Sequence, residues 1–577
     1  MIPVRIALPV LALATLLVPL MIGLNGYELN LLVRAATYAM AVLGLVVVLG
    51  YSGQISLAQA GFFGLGAYGV ALGTTVFHLP FGLALAAGIA VAALFGAILG
   101  ASTLKLGGHY LAMVTISFQQ ILTLVLTNWI GFTRGPDGVR DIPRPSILGV
   151  SFVESGRYLV LCLAVLYLAG FFVWRLKRTR LGLGMQAVRD NELAAEVVGV
   201  DTYRVKVTAF ILSAALGGLG GGLFAGGFGF ISPDQFSFAE SVVFLTMALL
   251  GGVQYPFGAS VGTVLLILLP EWLRFLKVFY LAIYGLAVIL IMEFMPAGIW
   301  GFIDRLRKPK PVSFDAVPAL ELLSARDTKG GTILDITGLA KHFGGLKAVD
   351  GIDIAIERGA CHALIGPNGS GKTTLLNVLS GIYKPTAGTI LFNGAPIAGL
   401  PPHSLAACGL GRTFQNIRLF ASLTALDNVV IGAQRPGHDV PGGSAGLRDR
   451  ALAALDFVGM VERAGFPVAG LPYGHQRRIE IARALAGNPG LLLLDEPGAG
   501  LNLTEKQELV GLLQRLKGHG MTIFLIDHDM NLVEQIADRI TVLNFGRKIA
   551  EGTPKEVLRH PDVITAYLGG EADADAA

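Results

Sequence analysis

Up to about Trp300 the chain is built from long apolar runs separated by short polar breaks. Runs of the length a bilayer requires, about 17–25 residues, fall at 6–24, 29–49, 57–77, 82–104, 108–130 and 158–176, and again at 207–230, 236–269 and 278–298. The 236–269 block would be about 51 Å long as one helix, against a hydrocarbon core of about 30 Å. It is interrupted by GGVQYPFG, so it predicts a helical hairpin or re-entrant pair and a total of about ten membrane segments. From Thr332 onward the pattern changes to short β-rich runs alternating with amphipathic helical stretches, as in an α/β domain. Between the two, residues 304–331 (DRLRKPKPVSFDAVPALELLSARDTKGG) carry prolines and end in Gly-Gly, which marks a linker. The expected organisation is a polytopic α-helical membrane domain at 1–303, a cytoplasmic linker at 304–331 and an α/β domain at 332–577.

Arg5 ahead of the first apolar run imitates a signal peptide. No small-x-small site closes that run and further spans follow, so an uncleaved first helix is expected. The most basic loop of this half, residues 175–206, holds seven Lys or Arg, which places it in the cytoplasm by the positive-inside rule. Inside that loop Asp190 or Asn191 can cap a short helix and Gly199 can end it, with Ala194, Ala195, Val197 and Val198 as a small apolar knob. One reading is a charged loop lying along the headgroups; the other, favoured by the α/β domain on the same chain, is a helix that docks into a partner domain.

Polar residues within the spans are few. Ser52, Gln54, Ser56 and Gln59 lie in a glycine-bearing stretch that predicts a broken helix, explained equally by a water-accessible path or by helix–helix hydrogen bonds. FTRGPDGVRDIPRP (132–145) reads as an external loop and GGLGGGLFAGGFG (217–229) as a close-packing surface. Composition agrees with residence in lipid: 15% of residues are charged, against about 25% in soluble chains. The net charge of +4 gives no argument for nucleic acid, and Cys162, Cys361 and Cys408 lack the spacing of a metal site or disulfide framework.

Residues 366–374 read Gly366-Pro367-Asn368-Gly369-Ser370-Gly371-Lys372-Thr373-Thr374, after the strand-like CHALI and before a helical pattern. That is the context of a phosphate-binding loop: glycines turn backbone N–H groups toward phosphates, Lys372 neutralises them, and the Thr373 hydroxyl ligates Mg²⁺. LLLLDEP (491–497) is a buried strand ending in two carboxylates. Asp495 is placed to hold Mg²⁺ and Glu496 to polarise the attacking water. A second apolar strand, MTIFLID (521–527), ends at His528, in position to approach the γ-phosphate.

In this order the motifs resemble the nucleotide-binding domain of ABC transporters over essentially all of 332–577. The resemblance implies that Phe343 stacks on adenine. It also implies that Gln415, in RTFQN, is a catalytic and metal-binding residue joining the Mg²⁺ region to the membrane domain. Leu471-Pro472-Tyr473-Gly474-His475 occupy the signature position and GAGLN (498–502) the loop after the acidic pair. Two such domains would sandwich ATP, each loop facing the partner's signature, so one copy alone is a poor ATPase. Departures are visible. Pro472 offers neither hydroxyl nor N–H where the family has L-S-G-G-Q, which implies a weaker site on that signature than on this chain's own phosphate loop. Asn502 stands for the usual aspartate, and Asp527 where glutamate often precedes the switch histidine.

A finer resemblance spans both halves. LPYGHQRRIEIARAL and HPDVITAYLG are similar to the ATPase of high-affinity branched-chain amino acid importers. SGQISLAQAGFFGLGAY, FTRGPDGVRDIPRP and QAVRDNELAAEVVGVD are similar to one permease of the same systems. Glu192, Ala194, Ala195 and Gly199 correspond loosely to the docking loop that such permeases present to the ATPase. The implied protein is a fused permease–ATPase of the bacterial inner membrane, using ATP and Mg²⁺. Its implied partners are a second permease, a second ATPase, an extracytoplasmic solute-binding protein and lipid. Alternatives are a cargo of urea, short amides or other small organic acids, a homodimeric exporter, and an ATP-driven regulatory membrane protein that moves no solute.

Overall fold

Glycine decides how closely the first helices approach one another. In the computed structural model, which describes residues 24–102, 109–147, 150–272, 285–286, 289–290, 293–295, 297–305, 330–435 and 443–568, the chain falls into two compact units. One lies within Met1–Arg189 and Tyr203–Lys308, the other within Asp190–Thr202 and Pro309–Ala577. Nearly all of the apolar run 6–24, most of 278–298 and most of the linker lie outside the described residues.

The first unit is helical: α1 (Gly26–Leu45), α2 (Gln59–Thr75), α3 (Phe81–Ser102), α4 (His109–Asn128), α5 (Ser155–Leu176) and α6 (Arg180–Asp190) precede the short α7 (Glu192–Val197), which packs with the second unit. After it come α8 (Thr202–Phe228), α9 (Phe238–Gly251), α10 (Pro256–Trp272) and α11 (Gly298–Arg305). Among the described residues, five helices are long and apolar enough to cross a membrane. α1 continues to Tyr51 as a π-helical turn, and residues 52–58 are non-helical before α2 begins, so the expected break is present. Of the polar residues there, Gln59 donates to Ala41 O at 2.7 Å and accepts from Ser213 Oγ at 3.0 Å, which ties α1, α2 and α8 by helix–helix hydrogen bonds. The 236–269 block is the pair α9 and α10, turned at Gly252 with φ +108°. At 14 and 17 residues they are about 21 and 26 Å long, short of a full crossing, as in a re-entrant pair.

The 217–229 segment is helical within α8 as far as Phe228 and is a close-packing surface. A Cβ on Gly221 would lie 1.8 Å from Phe63 O, and one on Gly220 would lie 2.6 Å from Thr37 O. α8 therefore brings its backbone against α1 and α2 where no side chain could fit, as membrane helices do when small residues face each other. The basic loop at 175–206 is more helical than its sequence suggests. α6 folds back because Gly182 leaves room beside Leu176 O, and Gln186 donates to Lys177 O and Gly182 O, both at 3.0 Å.

The second unit is α/β. β1 (Thr332–Phe343), β2 (Leu346–Glu357), β4 (Ala387–Phe392) and β5 (Ala395–Pro396) form an antiparallel sheet in the order β2-β1-β4-β5. β3 (Cys361–Ile365), β6 (Leu410–Arg412), β7 (Leu491–Asp495), β8 (Thr522–Ile526), β9 (Arg539–Asn544) and β10 (Arg547–Gly552) form the second, in the order β10-β9-β3-β8-β7-β6. Its strands are parallel except for the β9–β10 edge. β3, β7 and β8 are buried along their whole length, as strands covered on both faces must be. Their C-terminal ends carry the loops at 366, 496 and 527, so sheet order alone gathers three distant motifs at one edge. The helices are α12 (Lys372–Leu379), α13 (Pro402–Cys408), α14 (Ala425–Ala433), α15 (Gly443–Phe457), α16 (Tyr473–Ala486), α17 (Leu503–Gly518), α18 (Met530–Ile536), α19 (Pro554–Val557) and α20 (Pro561–Leu568).

Candidate ATP site and docking segment

The loop between β3 and α12 needs its glycines. Gly366 has φ +149° and a Cβ there would sit 2.2 Å from Leu543 O; Gly371 has φ +100° and a Cβ would sit 2.3 Å from Ala348 O. Gly371 caps α12 without any side-chain acceptor, so the first-turn N–H groups are left for an anion. Asn368 and Gly369 are exposed, Pro367 is half-buried and Ser370 is buried. Thr373 is exposed on the first turn and Thr374 half-buried. Lys372 is folded into the loop, its Nζ donating to Gly366 O at 2.7 Å and Pro367 O at 2.8 Å. Burial holds its pKa below the usual lysine range, and the charges of Glu496 and Asp495 oppose that shift. A buried ammonium resting on carbonyls beside open helix-terminal donors fits a polyphosphate well.

Asp495 ends β7 and is buried. Arg412 Nη2 lies 3.4 Å from its carboxylate. Burial raises the Asp495 pKa and pushes Arg412 down to about 10, each partly offset by the other's charge. Arg412 also donates to Ser380 Oγ and, at 2.8 Å, to Asn377 Oδ1 on α12. It therefore joins the acidic strand to the helix that follows the phosphate loop. Glu496 adopts φ +44°, a strained region for a residue with a Cβ, and its N–H donates to Ile526 O at 2.8 Å. Its Oε2 accepts from Gln415 Nε2 at 2.8 Å and lies 3.5 Å from His528 Nδ1. Gln415, Glu496 and His528, far apart in sequence, thus meet at one carboxylate oxygen. Asp527, buried, accepts from the N–H groups of His528 at 2.8 Å, Asp529 at 3.0 Å and Gly498 at 3.3 Å, which fixes the turn that presents the histidine.

Phe343 is 42% exposed, with Tyr383 at 5.3 Å edge-on and Lys341 Nζ 4.8 Å from its ring centre, leaving an open aromatic face. The signature residues belong to the start of α16, not to the Gln415–Glu496–His528 cluster. Leu471 and His475 are half-buried, Pro472 and Tyr473 exposed, and Gly474 buried with Glu505 in the space a Cβ would take. Pro472 is the N-cap of α16 and supplies no side-chain cap, so that helix start presents free donors. Asn502 caps α17, accepting from Glu505 N at 2.9 Å while Glu505 Oε2 accepts Asn502 N–H at 3.1 Å, a capping box.

Sequence reasoning missed the groups that hold the Gln415 loop. Arg477 on α16 donates to Phe414 O at 2.6 Å and Gln415 O at 2.7 Å and pairs with Glu480 at 2.8 Å. Arg483 donates to Arg418 O at 2.6 Å, and Glu480 accepts from Arg418 N at 3.2 Å. These three charged side chains are at most 1% exposed; an R-x-x-E-x-x-R spacing on the helix was their only mark in the sequence.

Residues 190–202 pack on this unit. Asn191 caps α7 by accepting from Ala194 N at 2.9 Å, and Gly199, at φ +99°, donates back to Glu196 O at 3.0 Å. Ala194 and Ala195 are fully buried, Glu192 is exposed, and Val197 and Val198 line a small cleft with Ala406, Leu410, Gly411 and Pro489. Asp190 Oδ2 accepts from Ser422 N at 2.7 Å and Ser422 Oγ at 2.6 Å, and Glu196 lies 3.8 Å from His403. Burial raises the Glu196 pKa, with His403 opposing the shift.

Known proteins share both halves. A family described as the branched-chain amino acid transport system permease component matches residues 27–293, the ABC transporter family matches 349–499, and a branched-chain amino acid ATP-binding cassette transporter family matches 547–573. The high-affinity branched-chain amino acid transport ATP-binding protein BraF of Pseudomonas aeruginosa is 43% identical over 251 residues, 41% of this chain and 98% of that protein. LivG of Escherichia coli strain K12, which carries the same description, gives the same figures. A solved ATP-binding cassette of an ABC transporter in its ADP conformation is 32% identical, covering 42% of this chain and 100% of that one, with a TM-score of 0.38. With permease and cassette matches in succession and a relative covered over 98% of its length, the chain belongs to the branched-chain amino acid family of ABC transporters, its permease and ATPase fused in one polypeptide.

Proposed function

We propose that this chain couples ATP hydrolysis to the import of branched-chain amino acids across the bacterial inner membrane. Residues 1–303 act as the permease, 304–331 as the cytoplasmic connection and 332–577 as the ATPase. The single observation that carries this reading is the run from 415 to 422. At one end Gln415 touches Glu496 and its carbonyl is held by Arg477; in the middle Arg483 holds Arg418 O; at the other end Asp190 holds Ser422. A change at the Glu496 carboxylate therefore has a short, hydrogen-bonded route to a segment that is continuous in sequence with α6 and α8.

In this reading the loop at 366–374 and Lys372 bind the phosphates, Phe343 stacks on adenine, and Glu496 takes the proton of the attacking water, with His528 and Gln415 orienting it. Thr373, Asp495 and Gln415 would hold Mg²⁺, which when bound supplies charge neutralisation across the phosphates. Residues 471–475 face the nucleotide of a partner cassette, so a second ATPase, a second permease and an extracytoplasmic binding protein complete the working assembly.

The test is uptake into proteoliposomes by the assembled complex with its binding protein. ATP-dependent accumulation of leucine, isoleucine or valine is expected. Accumulation of only urea or short amides would overturn the cargo, outward movement would favour an exporter, and ATP turnover with no solute movement would favour a regulatory role. Lys372→Ala is expected to weaken ATP affinity about 10–100-fold, since a charge-assisted contact contributes about 1.5–3 kcal/mol. Equilibrium binding of a fluorescent ATP analogue checks this, and wild-type affinity would remove the phosphate-loop assignment.

A further inference from the structure

The C-terminal helix α20 reaches back to the phosphate loop. Tyr567 Oη accepts a hydrogen bond from Gly366 N at 2.8 Å. Gly366 is buried, and its carbonyl receives Lys372 Nζ at 2.7 Å, so side chains grip this residue at both ends. β9 packs directly against this residue, since a Cβ added to Gly366 would lie 2.2 Å from Leu543 O. α20 is anchored by Val563, 3% exposed, in a cluster with Ala363 and Ile365 of β3, the strand that leads into the loop. The hydroxyl is thus aimed by a helix packed on the same strand whose end it braces. Tyr567 itself is 41% exposed, so apolar burial alone gives little reason for a ring at this position, and the hydroxyl is the part of it that bonds to the loop.

We propose that Tyr567 is a positioning residue for nucleotide binding: its hydroxyl holds the first peptide of the phosphate loop in the shape that receives ATP. The proposal rests on reading 366–374 as the ATP site. There, Lys372 must release Gly366 O and Pro367 O to reach a phosphate. Tyr567 is then the side chain still holding residue 366, and the loop keeps its entry geometry while the ammonium moves.

The experiment compares ATPase kinetics of the intact complex carrying wild-type chain, Tyr567→Phe or Val563→Ala. Tyr567→Phe keeps the ring and removes one hydrogen bond to a buried amide. It is expected to raise the KM for ATP about three- to tenfold, to leave kcat within about twofold, and to lower the nucleotide-free Tm less than Val563→Ala does. Val563→Ala, which loosens α20 on β3, is expected to raise KM in the same direction while also lowering Tm. An unchanged KM in Tyr567→Phe overturns the proposal, as does a matched fall in kcat and Tm, which would mark a merely structural role. A KM shift in Val563→Ala but not in Tyr567→Phe also overturns it, since packing and not the hydroxyl would carry the effect. Lys372→Ala in the same assay separates the two levels: wild-type ATP affinity there sinks the ATP site itself, whatever Tyr567 does.

Discussion

Complex carrying Glu496→Gln is expected to bind ATP as the parent does and to hydrolyse it about 10²–10⁴-fold more slowly, the usual range for loss of a general base. The amide keeps the shape of the carboxylate and can still accept from Gln415 Nε2, a contact of 2.8 Å in the parent. It also keeps the backbone N–H bond to Ile526 O, so the strained φ of +44° costs glutamine no more than glutamate. What it loses is the ability to take a proton. Asp495 is a poor substitute, because it is buried at the end of its strand with one carboxylate oxygen facing Arg412. Steady-state ATPase rates together with nucleotide binding check this. A near-normal rate would move the base elsewhere, and loss of binding would make Glu496 a structural residue instead. The strain is informative in itself: a non-glycine residue held in the left-handed region tends to mark a functional constraint.

The same site shows what a single sequence can and cannot disclose. The turn at 366–371 was legible because its glycines take positive φ, as Gly366 and Gly371 illustrate, a demand that local backbone geometry makes on residue type. The cap at Asn191 and the stop at Gly199 were legible for the same local reason. The glycine run of α8 announced close packing, although the partners, Phe63 for Gly221 and Thr37 for Gly220, are set by the fold. Arg412, Arg477, Glu480, Arg483 and Tyr567 were not legible. Each acts on a group 32 to 201 positions away or, like the Arg477–Glu480 pair, only through burial. An arginine in RTFQN looks like any polar residue beside a motif until the sheet order sets it against Asp495. α6 escaped for a different reason. Its glycines argue against helix by propensity, and it forms because that lack of side chain lets it fold onto the end of α5.

Ala195→Glu is expected to leave ATP hydrolysis running while uptake per ATP falls about a hundredfold. Ala195 is fully buried in α7, and its carbonyl accepts from Val200 N at 3.0 Å, so the backbone there is already engaged. A carboxylate at this point enters a segment that already carries Glu192, Glu196 and Asp201, and the pKa of Glu196 is raised by burial and by its acidic neighbours. An uncompensated buried charge costs about 3–5 kcal/mol, or roughly two to four powers of ten in the docking equilibrium. The Glu496 carboxylate is separated from Ala195 by the whole 415–422 loop and touches none of the affected residues, so hydrolysis is expected to continue. Ala195→Gly, which adds no charge, serves as the control and is expected to retain most coupling. Parallel measurement of phosphate release and labelled amino acid uptake in proteoliposomes reads the ratio directly. If the Glu variant transports at the parental ratio, movement reaches the permease by some route other than residues 190–202, and the hydrogen bonds from Asp190 to Ser422 are only a structural attachment.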